Sequence, residues 1–411
     1  MKHIYTSIDI GSNEVKVVVC ELLNGKLNLL ATSSQKSHGI KQGLVVDEEE
    51  AMLSIKKALN GISDMLGIKI KKVITSIPSY NAKFEMVSGN AKINEVVNGE
   101  AITEVLQDAA KRNIKKNMEV ITILPIEFTV DDHKKIKEPK GLKGNVLKVK
   151  GIMVSTPKNS VLSVVSLIEK LGIEVVEITI NPLANINAFR TKQMNAQSGV
   201  IIDVGYETTT VSLYNKGIPI NNTVIGLGGK NIDNDLSYMY KINLTDANNI
   251  KEKFALADVS FANNYETYET INQKSETVVI KQAEASEILA SRLEEILNLA
   301  KKEIKSLTNS KIDYIIITGG TSNVRQLDNF VDKLFNDKAT IGSIKIVGIR
   351  NNKYSVALGS VVYFINKLRL KGIDYSMIDE DEAFLLSSVK KGFDVPNDSM
   401  LGKVFGYFFG E

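Results

Sequence analysis

The residues best suited to chemistry are two aspartates, each with a glycine two positions on. Ile8-Asp9-Ile10-Gly11 lies between the β-branched segments 4–10 and 15–20. Ile202-Asp203-Val204-Gly205 sits in the same setting within 200–213, at an offset of 194 residues. β-Branched runs joined by Gly11-Ser12-Asn13-Glu14 predict a hairpin, and the second segment repeats it. Glycine permits the tight turn, and neighbouring N–H groups then form a concavity that takes phosphate oxygens. Two such hairpins, facing each other, can grip a polyphosphate. Asp9 and Asp203 would face that cleft and hold a hydrated Mg2+, a hard ion that favours oxygen and keeps several waters. Lys16, in the strand leaving the first hairpin, would neutralise a β- or γ-phosphate, and Ser12, Thr208 and Thr209 would supply hydroxyls. Ile317-Thr318-Gly319-Gly320-Thr321-Ser322 ends an apolar strand on bare backbone, against which an adenine ring can lie. Taken singly, each is an ordinary turn. The duplicated pair together with the Gly-Gly segment carries the nucleotide reading.

The elements that must hold these residues alternate in kind. Strands are expected at 72–77 and 175–180. Helical spacing marks 51–66 and 161–171, the latter ended by Gly172. This βα alternation indicates an α/β fold, and the repeated hairpins indicate two related halves. Residues 83–155 read as a compact insert with a helix at 100–111, strands around 120–130 and a charged loop at 131–140. Residues 226–311 form a helix-rich region whose longest helix runs over 283–307, and a buried strand is expected at 312–318. The stretch 379–398 is charged, weakly periodic and expected to be a flexible linker.

Composition narrows the function. An apolar content of 43 % suffices for real cores, and a formal charge of +3 argues against a general nucleic-acid binder. A single cysteine, Cys20, and three scattered histidines leave no basis for a disulfide, a zinc site or a Ser–His triad. The start lacks the apolar stretch of a signal peptide, and no window reaches the length of a membrane span. The uneven place is the terminus Ser399–Glu411, which holds three of the 13 phenylalanines. On a helix, Met400, Leu401, Val404, Phe405, Phe408 and Phe409 share one half of the circumference, opposite Gly402, Lys403, Gly406 and Gly410. Three glycines cost roughly 1 kcal/mol each in a helix, so this segment should fold when its apolar face enters lipid.

The hairpins IDIGSNEVK and IDVGYETTT and the turn ITGGTSNV together resemble the actin/Hsp70/sugar-kinase superfamily. Asn181-Pro182-Leu183-Ala184-Asn185 is similar to its first interdomain connection and Ser355-Val356-Ala357-Leu358-Gly359 to its second. Within it the chain most resembles the bacterial cell-division FtsA family, by the insert at 83–155, the loop Gly226-Leu227-Gly228-Gly229 and the amphipathic terminus. The resemblance implies a duplicated actin-like (ribonuclease H-like) α/β fold with an inserted α+β subdomain and a C-terminal amphipathic helix. Its subdomains would be 1A (1–82, 156–190, 360–378), 1C (83–155), 2A (191–225, 312–359) and 2B (226–311). The linker 379–398 and the membrane-targeting helix 399–411 would follow.

The resemblance also implies function. ATP with Mg2+ would bind at Asp9, Gly11, Ser12, Asn13, Lys16, Asp203, Gly205, Thr208, Thr209, Gly229, Lys251, Gly319, Gly320 and Thr321. Asp9 and Asp203 would hold the metal. Lys251 is either a ribose or adenine contact or a residue on a solvated helix face. The protein would polymerise on the inner membrane face, tether the tubulin-like FtsZ through its C-terminal peptide, and recruit later division proteins. Arg292 and Glu295 match peptide-contacting positions, or they pair with each other as i,i+3 neighbours. Asn181 stands where many superfamily ATPases carry Glu or Gln, and a neutral amide cannot act as a general base. Tyr206 and Glu207 replace the small or acidic residues common in the second hairpin. Little ATP hydrolysis is therefore expected. The competing readings are a PilM-like pilus-assembly protein and a small-molecule kinase of the same fold.

Overall fold

The computed structural model describes residues 3–379 together with Glu382, Ala383 and Leu386. The first half opens with β1 (His3–Ile10), β2 (Glu14–Leu23) and β3 (Lys26–Lys36). A small hairpin follows, β4 (Ile40–Lys41) and β5 (Leu44–Val45), then α1 (Glu48–Leu66) and β6 (Lys72–Ile77). The insert contains β7 (Lys83–Lys92), α2 (Gly99–Lys111), β8 (Met118–Val130), β9 (His133–Ile136) and β10 (Val146–Pro157). The chain returns through α3 (Lys158–Glu169), β11 (Glu174–Ile180) and α4 (Asn181–Phe189). The second half runs β12 (Ser198–Val204), β13 (Thr209–Asn215), β14 (Ile218–Ile225), α5 (Gly229–Tyr240), α6 (Leu244–Asn249), β15 (Thr267–Ile271) and β16 (Thr277–Lys281). It ends with α7 (Gln282–Leu307), β17 (Tyr314–Thr318), α8 (Leu327–Phe335), β18 (Ala339–Ile341) and α9 (Ser355–Lys371).

The internal repeat is visible in the sheets. One has the order β3-β2-β1-β6-β11 and the other β14-β13-β12-β17-β18. In both, an antiparallel hairpin leads into parallel neighbours. The inner strands are buried along nearly their whole length, which explains why they read as continuous apolar runs. α1 begins where the Asp47 side chain accepts the Glu50 N–H at 3.1 Å, and its first turn holds three acidic residues that suit a helix N-terminus. It buries Ile55, Leu59 and Ile62 against the first sheet, each contributing about 1.5–3 kcal/mol. α5, α7 and α8 cover one face of the second sheet. The insert has its own core around Ile102, Phe128 and Leu147.

The remaining sheet faces turn toward each other through two helices. α9 lies on the first sheet and α4 on the second, and the two helices cross. At the crossing, a Cβ on Gly359 would stand 1.8 Å from the Ala184 carbonyl oxygen, so only glycine allows this approach. Thr179 and Ser360 hydroxyls meet beside it at 2.9 Å. The two expected connections are thus packed on one another.

Three local expectations change. The charged stretch 131–140 is not a plain loop, since β9 pairs with β8 within it. The helical face expected to carry Lys251 is not a regular α-helix: α6 gives way to a π-helical turn, Ile250–Phe254, and Lys251 is buried. At the start of the stretch read as linker, Glu382 pairs with Lys71 at 2.7 Å and Leu386 packs on the first core. The proposed terminal helix, with Met400, Leu401, Val404, Phe405, Phe408 and Phe409, lies outside the described residues.

Candidate nucleotide-binding cleft

β1, β12 and β17 all end at one cleft of about 330 Å³. Carboxyl ends of sheet strands are the usual ligand position in α/β proteins. The cleft is lined by Asp9, Gly11, Ser12, Asn13 and Lys16 from the first half, and by Asp203, Gly205, Thr208, Lys251, Gly319, Gly320 and Thr321 from the second. Twelve of the fourteen residues assigned to nucleotide therefore converge. Asn181, at the first turn of α4, lines it too.

The other two, Thr209 and Gly229, are not among the lining residues. The Thr209 hydroxyl donates to the Leu227 carbonyl at 2.8 Å, and Thr210 lines the cleft in its place. Residues directly opposite in an antiparallel pair share a face, and Asp203 stands opposite Thr210 as Asp9 stands opposite Lys16. The 194-residue offset that maps Asp9 onto Asp203 maps Lys16 onto Thr210, a signal present in the sequence. Gly229 gives its N–H to the Gly205 carbonyl at 2.9 Å, next to the lining residues Thr321 and Lys251.

Charge is concentrated at the cleft floor. Lys16 Nζ stands 2.7 Å from Asp9 Oδ2. Burial by itself would lower the lysine, but the carboxylates of Asp9, Glu14 and Asp203 outweigh it and hold its pKa above the ordinary value. Burial pushes the Asp203 carboxyl up, against a hydrogen bond from Asn185. That bond, Asn185 Nδ2 to Asp203 Oδ2 at 2.8 Å, begins a chain. Asn185 Oδ1 accepts from Ser355 Oγ at 2.9 Å, and Ser355 Oγ accepts from Thr318 Oγ1 at 3.3 Å. Asn185 and Ser355 belong to the two connections, so the helix crossing is wired to an acidic group of the cleft. Their part was hidden because they act on Asp203 only through tertiary contact. Gly319, at φ +94°, brings β17 so close that a Cβ would lie 2.4 Å from Asp203 Oδ1.

Lys251 is not on a solvated helix face. It is 3 % exposed, and Nζ stands 2.8 Å from Oδ1 of the fully buried Asp233. Asn248 donates to the other oxygen at 3.2 Å. Lys251 Nζ also lies 5.4 Å from the centre of the Tyr206 ring.

A second groove, between α5 and α7, is lined by Asp235, Tyr238, Met239, Ile288, Ser291, Arg292 and Glu295. Arg292 binds Asp235 in a bidentate pair at 2.6 and 3.0 Å and also binds Glu295. The expected i,i+3 pairing is therefore present, and Asp235 is the partner that spacing on one helix could not reveal. Tyr238 and Met239 expose 72 % and 62 % of their surface at its rim.

Two sheets of one topology, joined by crossed helices and opening on paired Asp-x-Gly hairpins, define an actin-like protein. Similar folds occur in MreB5 of Spiroplasma citri bound to ADP (TM-score 0.54, 14 % identity, 90 % of this chain and 98 % of that one). The PilM–PilN type IV pilus biogenesis complex is alike at TM-score 0.56 and 14 % identity, covering 89 % and 98 %. Residues 200–359 match the family described as cell division protein FtsA, and residues 76–155 match the SHS2 domain inserted in FtsA. The cell division protein FtsA of Bacillus subtilis is 26 % identical over 384 residues, 92 % of this chain and 87 % of that protein. That of Enterococcus hirae is 27 % identical over 369 residues, 88 % and 83 %. The chain belongs to the FtsA family of actin-like bacterial cell-division proteins. Among the described residues no helix is long and apolar enough to cross a membrane.

Proposed function

We propose that the cleft binds ATP with Mg2+ and that the protein assembles into filaments on the inner face of the cell membrane, where it anchors FtsZ and recruits later division proteins. The carrying observation is the convergence of both hairpins on one cleft, with Asp9, Lys16 and Asp203 at its floor. No group of three or more His, Cys, Asp or Glu gathers among the described residues. Two carboxylates alone suit an ion that keeps most of its waters; Asp9 and Asp203 would hold it, and it would offset phosphate charge. ATP then serves as a structural and switching ligand. Asn181 lines the cleft with a neutral amide that takes no proton from water.

The groove beside Arg292 supports the peptide reading. Its guanidinium can hold a peptide carboxylate, while Tyr238 and Met239 offer apolar contact. Asp235 and Glu295 must then share or release Arg292. Arg292→Glu is expected to weaken binding of the FtsZ C-terminal peptide at least tenfold, about 1.4 kcal/mol; unchanged binding in a titration refutes the assignment. The terminal segment 399–411 would lie in the interface, and many tails along one filament would bind cooperatively. The test of the whole reading is imaging of full-length protein on liposomes with ATP, beside a chain lacking residues 399–411. Filaments on lipid that require both ATP and the tail support it. Filaments on lipid without the tail, or phosphate release within seconds in single turnover, contradict the anchoring and the slow turnover respectively.

A further inference from the structure

Glu207 belongs to the second hairpin, yet its carboxylate is shared between the two halves. Oε2 accepts the N–H of Gln42 at 2.5 Å, from the turn between β4 and β5. Oε1 accepts Lys230 Nζ at 2.6 Å. The Ser12 hydroxyl, in the first hairpin, accepts the N–H of Gly43, the next residue of that turn, at 2.8 Å. The Glu207 side chain is only 9 % exposed. Burial pushes its pKa up, but the Lys230 ammonium and the Gln42 N–H overcome this and hold it below the ordinary carboxylate value. An anion is thus bound at the point where the two hairpins face each other.

The donors on it are a turn N–H and a lysine. That is the set a phosphoryl oxygen uses. We propose that Glu207 is a specificity-determining residue which occupies, in the closed cleft, the donors of a nucleotide's terminal phosphate. A triphosphate reaches these donors only by displacing the carboxylate, whereas a shorter phosphate chain leaves the Glu207–Gln42 latch in place. The latch therefore sets the ratio of triphosphate to diphosphate affinity. A ligand shifts such an equilibrium only through differential interaction with the two states, and here the difference is an exchange of one anion for another. This rests on the reading of the cleft as a nucleotide site.

The test measures fluorescent ATP and ADP analogues binding to the full chain, to Glu207→Ala and to Glu207→Gln, with a melting curve for each. In Glu207→Ala the ATP analogue is expected to bind about tenfold tighter, about 1.4 kcal/mol, with a change of less than about twofold for the ADP analogue. Glu207→Gln removes the charge but keeps an acceptor for the Gln42 N–H, so its gain falls between. Should Glu207→Ala melt early, Glu207→Gln decides the matter. Equal changes for both analogues, no change, or weaker binding of the ATP analogue overturns the proposal and leaves Glu207 a structural tie. Failure of the unaltered chain to bind either analogue removes the nucleotide reading itself, and the proposal with it.

Discussion

Gly359→Val is expected to lower the melting temperature by about 5 °C or more, and to weaken nucleotide binding at least tenfold. The Cβ alone would lie 1.8 Å from the Ala184 carbonyl oxygen and 2.6 Å from its carbon. These are backbone atoms, so relief requires α4 and α9 to separate. Overpacking of this kind costs typically 1–3 kcal/mol and sometimes more, and each kcal/mol shifts melting by about 2–4 °C in domains of 150–250 residues. The loss would not stay at the crossing. Asn185 on α4 and Ser355 on α9 hold Asp203 from behind, so parting the helices displaces an acidic group of the cleft. Thermal melting and nucleotide titration of one preparation check both parts. A variant that melts and binds like the parent would show that the crossing has slack.

The second large effect is expected at Lys251. Removing one partner of a buried ion pair leaves a charge without compensation and costs about 3–5 kcal/mol. Asp233 has no exposure and Lys251 almost none, so solvent cannot replace what is lost. Lys251→Met should therefore destabilise by roughly that amount before any ligand is considered. Lys251→Met with Asp233→Asn should recover most of the loss, because neither charge then remains. Denaturant unfolding of the two variants decides this. A single variant as stable as the parent would show that the hydrogen bond from Asn248 suffices for Asp233. The same pairing constrains any contact of Lys251 with ribose or adenine, since the ammonium is already committed to Asp233.

Much of the frame was legible because its signals are local. The turn residues after Asp9 and Asp203, the β-branched runs around them and the 194-residue offset all follow from hairpin chemistry and strand period. They sufficed for two matching sheets and for most of the cleft. The strand period also explains why Thr209 does not line the cleft. Successive strand residues alternate faces, and in the repeat Thr210 is the counterpart of Lys16. The insert was legible as an interruption of the repeat, but β9 was not, because a strand of four largely charged, exposed residues has no apolar pattern to reveal it.

By itself, then, the sequence determined the duplicated α/β frame, the hairpins and the aspartates they carry. These depend on contacts between residues a few positions apart and on a repeat that registers one half against the other. The tertiary structure alone decided which partners the charged groups take. Lys251 turns inward to Asp233 through a π-helical turn, Arg292 finds Asp235 on a different helix, and Glu207 crosses to Gln42 in the other half. Such pairs lie 18 to 165 positions apart in the chain. Their geometry is set by how helices and sheets pack, and burial then makes the pairing obligatory, because a charge withdrawn from water must meet a partner wherever the fold has placed one.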